Sequence, residues 1–598
     1  MKVFEANISQ QASGYLRENL KNIVSFSAAN QALFVAFGIR DFFDDQATFN
    51  DFKEAIAVST SVVQEPDRAE YGDFQTNEDL ANKITLLLAR RQITPEIALE
   101  PTCGKGSFII SLLKNIKTLK YIFGIEIYKA YVWESKFNVI HYHLQNPSNY
   151  RPEIRIIHDN VFSFDFERIK KEYGLGFKEI LIIGNPPWVS NAKLSSLNSK
   201  NLPNKTNFKN HKGLDAMTGK GNFDIAEYIT LSMISTFQEM KGNLALLVKN
   251  SVVKNIVLEQ RINKYAISNI EKHCIDSKKE FNVSVEASMM CCELNIGTQF
   301  DCKEFDFYDG DNNACYKSFG WVDNHFVSNI DKYSHTKNID GVSPFVWRQG
   351  LKHDCAKIME FDKMDDCYVN GLNEEMQLED DLVYGILKSS DLKNKAITNA
   401  RKFTILTQKK VGQETQYIKY HYPKTYQYLN DHQIYFDSRK SSIYNNKPPF
   451  SIFGIGDYSF KPFKVAISGL YKTFHFTLIL PVNNKPLMLD DTCYALSFDK
   501  IEFAVYTLMI LNSELTKQFL QSISFIDAKR TFTKDVLMRI NFYELAKHIN
   551  SDYLSQDLER LNEVYNFNLT LSAWDQYIAT MLPSNKHGRQ LDLFPQYD

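Results

Sequence analysis

No Cys-x-x-Cys pair occurs in these 598 residues, and of the nine cysteines only Cys291 and Cys292 are adjacent. That scarcity of paired thiols argues against zinc ribbons and against a disulfide framework, and leaves reduced cysteines as the expectation. A Gly-x-x-x-x-Gly-Lys-Ser/Thr sequence is also missing, so no Walker-type phosphate loop is expected. No run is long and apolar enough to span a bilayer, and Met1 to Asn7 lack the apolar core of a signal peptide. We therefore expect a cytoplasmic protein with no membrane contact. Charge of one sign is lacking too: 69 Lys and Arg face 71 Asp and Glu, a net −2 that marks no polyanion partner globally. No metal-ligand cluster is called for, and the first seventy residues show no acidic and lysine cluster of the kind a nuclease needs.

What is present is ordinary soluble composition, 44% hydrophobic and 23% charged, in a chain long enough for two or three domains. Charge is unevenly distributed. Between Arg401 and Leu480 there are 12 Lys and Arg against 4 Asp and Glu, a local +8 that leaves about −10 for the rest. An acidic scaffold carrying one basic, aromatic-rich module fits this pattern, and a solvated basic face would look the same.

From Tyr71 onward, four strand-like runs end in groups able to hold a ligand. Thr76 with Asp79 resembles a capping box ahead of the helical face Leu80, Ile84, Leu87, Leu88. Ile97-Ala98-Leu99-Glu100 then runs into Pro101-Thr102-Cys103-Gly104-Lys105-Gly106 and an apolar helix, the first unit of a nucleotide-binding α/β sheet. The second run, Tyr121 to Ile127, places Glu126 where a ribose diol finds its acceptor. The third, Ile154 to Ile157, leads to Asp159-Asn160-Val161-Phe162, a carboxylate and apolar rim suited to adenine. The fourth is Ile182-Ile183-Gly184-Asn185-Pro186-Pro187-Trp188. Its prolines stiffen a turn that can continue as neither strand nor helix. One amide beside an exposed indole suits a site that grips a flat, polar-edged ring. Ligands of such sheets sit at the carboxyl ends of strands.

These motifs resemble the gamma class of S-adenosylmethionine-dependent DNA adenine-N6 methyltransferases, in the layout of the TaqI-like members, over roughly Tyr71 to Tyr543. The resemblance implies a Rossmann-like α/β methyltransferase sheet with S-adenosyl-L-methionine as cofactor and double-stranded DNA as partner. Phe74, Gln75 and Thr76 look like the cradle of the methionine end. Glu100, Pro101, Cys103, Gly104 and Gly106 look like the methionine and ribose contact, and Glu126 like the ribose acceptor. Asp159, Asn160, Val161 and Phe162 look like the adenine contacts, and Asn185, Pro186, Pro187 and Trp188 like the catalytic motif. Phe281 occupies the place where such members stack a second aromatic on the extruded base; a core phenylalanine is the alternative. Asparagine at 185, where many cytosine-N4 enzymes of related type carry serine, favours adenine.

The remaining chain is read around this centre. Residues 1–70 are expected as a helical extension, 71–345 as the catalytic domain and 346–383 as a connecting segment. Residues 384–545 are expected as a mixed α+β target-recognition domain, and 546–598 as a helical segment with a frayed tail. Val189 to Asn222 carry Lys193, Lys205 and Lys209 among six lysines against Asp215 alone. Such a loop suits phosphate contact. Arg439, Lys440 and Lys447 lie in a Ser, Asn and Tyr-rich stretch that fits DNA readout. A cognate restriction endonuclease or a defence complex would complete the system, and a monomer is expected. Rival acceptors for the same fold are RNA adenine and a protein glutamine; a third rival is a DNA-binding subunit without turnover.

Overall fold

Four runs of nearly unbroken apolar sequence become neighbouring parallel strands, because only strands covered on both faces tolerate such runs. The computed structural model describes residues 2–57, 75–174, 178–189, 224–309, 314–365, 367–526 and 530–582. It divides into two compact units, Met1–Phe326 and Val327–Asp598.

The first unit is built on a sheet whose strands are β1 (Ile97–Glu100), β2 (Tyr121–Glu126), β3 (Glu153–His158), β4 (Ile180–Gly184), β5 (Gly242–Lys249), β6 (Ile267–Ile275) and β7 (Ala287–Leu294). Their spatial order is β3, β2, β1, β4, β5, β7, β6, with β1 to β5 mutually parallel and β7 antiparallel to both neighbours. Three short strands, Asp301–Asp306, Lys317–Val322 and His325–Val327, extend the sheet beyond β6. The chain winds outward from β1 to β3 and then returns to place β4 on the other side of β1. The strand order therefore reverses between β1 and β4, and their carboxyl ends splay to leave a crevice. This is the Rossmann-like α/β arrangement expected from the sequence. Every residue of β1 and β4 is buried.

Helices α1 (Glu78–Arg90), α2 (Ser107–Asn115), α3 (Lys129–Gln145), α4 (Ile225–Phe237), α5 (Asn250–Asn263) and α6 (Ser277–Phe281) accompany these strands. The N-terminal helices Gln10–Leu20, Phe26–Phe37 and Gln46–Ala57 pack with α3 through an aromatic cluster. In it Phe52 stacks on Trp133 at 5.8 Å, and Phe42 meets the same ring edge-on at 5.6 Å. Arg40 N–H donates to Ile154 O at 2.9 Å and Ile154 N–H to Gly38 O at 2.8 Å. The extension thus covers the edge strand β3, which would otherwise present unpaired backbone.

Among the described residues the second unit holds two sheets. One orders Arg348–Gln349, Cys493–Phe498, Phe463–Ser468, Thr477–Ile479 and Ala396–Ile397. The other has six strands, among them Glu360–Met364, Cys367–Asn370, Val383–Leu387 and Lys402–Ile405. Its helices include Ile501–Leu511, Glu514–Ile523 and Ser551–Tyr565. The first unit ends before residue 345 because helix Ile330–Thr336 packs on Glu514–Ile523. Residues 346–383, expected as a connection, instead supply strands to both sheets. Trp347, within that segment, is fully buried.

Candidate active site

At the crevice between β1 and β4 the described residues enclose a cavity of about 1010 Å³, open mouth included. Its lining brings together Gln75, Thr76, Glu100, Pro101, Cys103, Gly104, Glu126, Asp159, Asn160, Val161, Phe162, Asn185, Pro186 and Pro187. Four strand ends distant in sequence thus meet at one place.

The turn after β1 is shaped by two glycines with left-handed backbone, Gly104 at φ 51° and Gly106 at φ 83°. A Cβ on Gly104 would lie 2.6 Å from Gln75 Oε1, and one on Gly106 would lie 2.3 Å from Ser135 Oγ. Glycine is needed at both. The Gly104 N–H donates to Glu126 Oε2 at 2.9 Å, and the Tyr128 N–H to Glu126 Oε1 at 2.8 Å. Two backbone donors therefore clamp the carboxylate at the end of β2. Lys105 N–H donates to Gln75 Oε1 at 3.3 Å, tying the segment before α1 to the same turn.

Glu100 is buried, and its Oε2 has no hydrogen-bond partner among the described residues. Burial first, and the neighbouring Glu126 second, push its carboxyl well above the usual range. Burial, then the same two acids, pushes the Cys103 thiol up as well, so it is no activated nucleophile. Among the described lining residues there are three carboxylates, Glu100, Glu126 and Asp159, and no Lys or Arg. Such a cavity favours a cation and disfavours a polyphosphate. On the far wall Phe162 N–H donates to Asn160 Oδ1 at 3.0 Å, and the Phe162 ring stands edge-on to Tyr228 at 5.6 Å.

Asn185 follows β4 directly. Its Nδ2 donates to Thr76 Oγ1 at 3.2 Å, and its carbonyl accepts from Thr102 Oγ1 at 3.4 Å. Thr76 was the expected cap of α1; the Asn77 side chain takes that role by accepting from Leu80 N–H at 2.8 Å. The Thr76 hydroxyl is thereby left to Asn185. The indole of Trp188, expected exposed, is only 6% exposed. Its Nε1 donates to Leu247 O on β5 at 3.1 Å, and its ring meets Phe281 edge-on at 4.9 Å. Trp188 and Phe281 thus meet each other, and neither lines the cavity itself.

Tyr128 and Tyr131, at the start of α3, and Ile225 and Ile229 of α4 also line the cavity and were missed from sequence. Tyr128 and Tyr131 follow Glu126 closely enough to have been found. Asp224 caps α4, accepting from Ala226 N–H at 3.0 Å, and pairs with Lys249.

In the second unit the Arg439 guanidinium donates from Nη1 to Ser451 O at 2.7 Å and from Nε to Phe436 O at 3.0 Å. It also lies 3.6 Å from the centre of the Tyr444 ring. Expected as a base reader, it braces its own loop instead; Lys440 and Lys447 are exposed. Phe74, Lys193, Lys205 and Lys209 lie outside the described residues.

Comparison with known proteins agrees with this geometry. Residues 63–354 match the family model described as N-6 DNA Methylase. The chain is 38% identical over 487 residues to Type II methyltransferase M.NspV of Nostoc sp. (strain ATCC 29411 / PCC 7524), covering 81% of this chain and 99% of that protein. Among solved structures it resembles the Type IIL restriction-modification enzyme MmeI in complex with DNA, with a TM-score of 0.50 and 11% identity over 96% of this chain and 93% of that one. That last similarity speaks to fold. From the crevice, its acidic lining, the Asn-Pro-Pro-Trp turn and this relative, the chain belongs to the N-6 DNA methylase family, as a DNA methyltransferase of restriction-modification type.

Proposed function

We propose that the chain moves the methyl group of S-adenosyl-L-methionine to the N6 amine of an adenine turned out of double-stranded DNA at one defined sequence. The observation that carries this reading is the cavity of three carboxylates without a described basic residue, with Asn185 at its edge. When bound, S-adenosyl-L-methionine supplies an electrophilic methyl group on a cationic sulfur. Glu126 would accept its ribose hydroxyls, Asp159 and Asn160 to Phe162 would take its adenine, and Glu100 and the Gly104 turn would face its methionine end. The partnerless Glu100 oxygen suits that assignment, since a buried carboxyl without a partner is stabilised by an incoming cation.

The chain's own part in the chemistry is to position and polarise. An exocyclic amine is a poor nucleophile because its lone pair is delocalised into the ring. Acceptance of its two hydrogens by Asn185 Oδ1 and the Pro186 carbonyl favours a pyramidal nitrogen with its lone pair directed outward. Pro187 keeps the turn rigid. No covalent nucleophile is needed; orientation and fixed dipoles suffice. The amine is unreachable inside a duplex, so the base must leave the stack, and Trp188 and Phe281 would have to turn from their edge-on pairing to replace the lost stacking. The second unit, with residues 384–545 at its heart, would read the target. The chain would act as a monomer in the cytoplasm beside a cognate restriction endonuclease.

Sequencing of modified bases in DNA from cells expressing the chain tests this. N6-methyladenine confined to one recurring sequence is expected; N4-methylcytosine there, or unmodified DNA, would refute the assignment.

A further inference from the structure

In the second unit three adjacent strands place Arg348, Ala495 with Ser497, and Lys464 on one sheet face. Arg348 pairs with Ala495, and Lys464 with Ser497, so alternate positions across the strands point the same way. These residues line a pocket of about 300 Å³, mouth included, with Tyr458 and Ser459 above them. Lys464 is only 3% exposed. Among the described residues its ammonium makes one hydrogen bond, to Lys461 O at 2.9 Å, and pairs with no carboxylate. A buried cation without a counter-ion is costly, and retained ones mark a place where an anion arrives. Arg348 stands at the mouth, exposed, its guanidinium 5.1 Å from the Tyr458 ring centre. At the floor two backbone segments of the protein pack tightly on each other. Gly454, at φ +69°, would carry a Cβ 2.1 Å from Gly350 O.

We propose that this pocket receives one backbone phosphodiester of duplex DNA, its oxygens held by Lys464 and Arg348 with the Ser459 and Ser497 hydroxyls beside them. The inference rests on duplex DNA being the substrate and adds a fixed contact in the unit assigned to target reading. Two cations and two hydroxyls match one tetrahedral monoanion, and a contact to the backbone sets register without reading a base. Burial lowers the free Lys464 amine to about 7, and an arriving phosphate would hold its proton.

The test is the salt dependence of binding to a mixed-sequence duplex oligonucleotide by full-length wild type, Lys464→Met and Arg348→Gln, with thermal melting of each. Loss of one phosphate contact is expected to weaken binding in every sequence and to lower the slope of log affinity against log salt by about one for each variant. Lys464→Met should also melt no lower than wild type without DNA, since a buried unpaired charge has been removed. Arg348→Gln, at the exposed mouth, keeps the test alive if the core variant does not fold. Wild-type affinity and slope in Arg348→Gln, or in a folded Lys464→Met, would overturn the pocket alone. A wild-type chain that binds no duplex would overturn both the pocket and the substrate assignment.

Discussion

The Asn185 amide donates to the Thr76 hydroxyl at 3.2 Å, joining the turn after β4 to the segment that opens α1, 109 residues earlier. In this arrangement the amide nitrogen faces Thr76 and the acceptor oxygen lies on the opposite side. Thr76 is therefore a positioning residue for Asn185. Thr76→Val is expected to lower kcat roughly tenfold, the worth of about one hydrogen bond, with little change in KM for the methyl donor. Thr76→Ser should restore most of the rate. Equal loss in the serine variant would show that the methyl group, and not the hydroxyl, matters.

Glu126 is clamped by two N–H groups and proposed to hold the ribose. Glu126→Gln keeps its shape, yet one of the two acceptors becomes a donor facing a donor. Affinity for S-adenosyl-L-methionine, measured by calorimetry, should fall about 10- to 100-fold, the range for hydrogen bonds to a charged group. Unchanged affinity would remove Glu126 from the site.

Glu100 makes a pH prediction. Its carboxyl is raised in the folded chain by burial and by Glu126. The folded state therefore holds a proton that the unfolded state gives up near the ordinary value of 4.5. Stability from this group is fully present below that value and declines as pH rises toward the folded pKa. Glu100→Gln should flatten the decline and melt higher than wild type at neutral pH without ligand. A cation entering beside Glu100 should release its proton, seen as buffer-dependent binding heat that the glutamine variant lacks. Identical heats in wild type and variant would contradict this.

Gly106→Ala would set a Cβ 2.3 Å from Ser135 Oγ in a left-handed turn. The expected cost is about 1–3 kcal/mol of stability, read as a lower Tm, with weakened donor binding. Gly14, in helix Gln10–Leu20 with open space around it, serves as the control, where alanine should be neutral or stabilising.

Arg439→Ala is expected to lower Tm, because its N–H groups hold the Phe436 and Ser451 carbonyls. Lys440→Ala and Lys447→Ala, both at exposed positions, should leave Tm unchanged and weaken duplex binding by filter retention. The reverse pattern would return Arg439 to the role of base reader.

The cavity lining was legible because each strand is punctuated by chemistry that only a turn explains: Gly104 and Gly106 after β1, two prolines after β4. Periodicity then supplied the strands, and the Rossmann order placed their ends together. What the sequence left open depended on neighbours it does not print. Thr76 and Asn77 are both able to cap a helix, and only the position of Asn185 decides between them. The indole of Trp188 is covered because Leu247 on the next strand offers a carbonyl and Phe281 a ring edge. Arg439 is engaged by carbonyls of its own loop, a matter of three-dimensional closure. Residues 346–383 read as a connection because their strands, two to five residues long, are too short to show alternation.

Asn185 is proposed to present acceptors to an adenine amine beside a bound methyl donor. The most direct measurement is transfer of tritiated methyl from S-adenosyl-L-methionine to duplex DNA by wild type and Asn185→Ala, with donor binding measured on both. Label in N6-methyladenine is expected for wild type, none for the variant, and matching donor affinity. Full transfer by Asn185→Ala, or wild-type label in RNA or protein but not in duplex DNA, would contradict it.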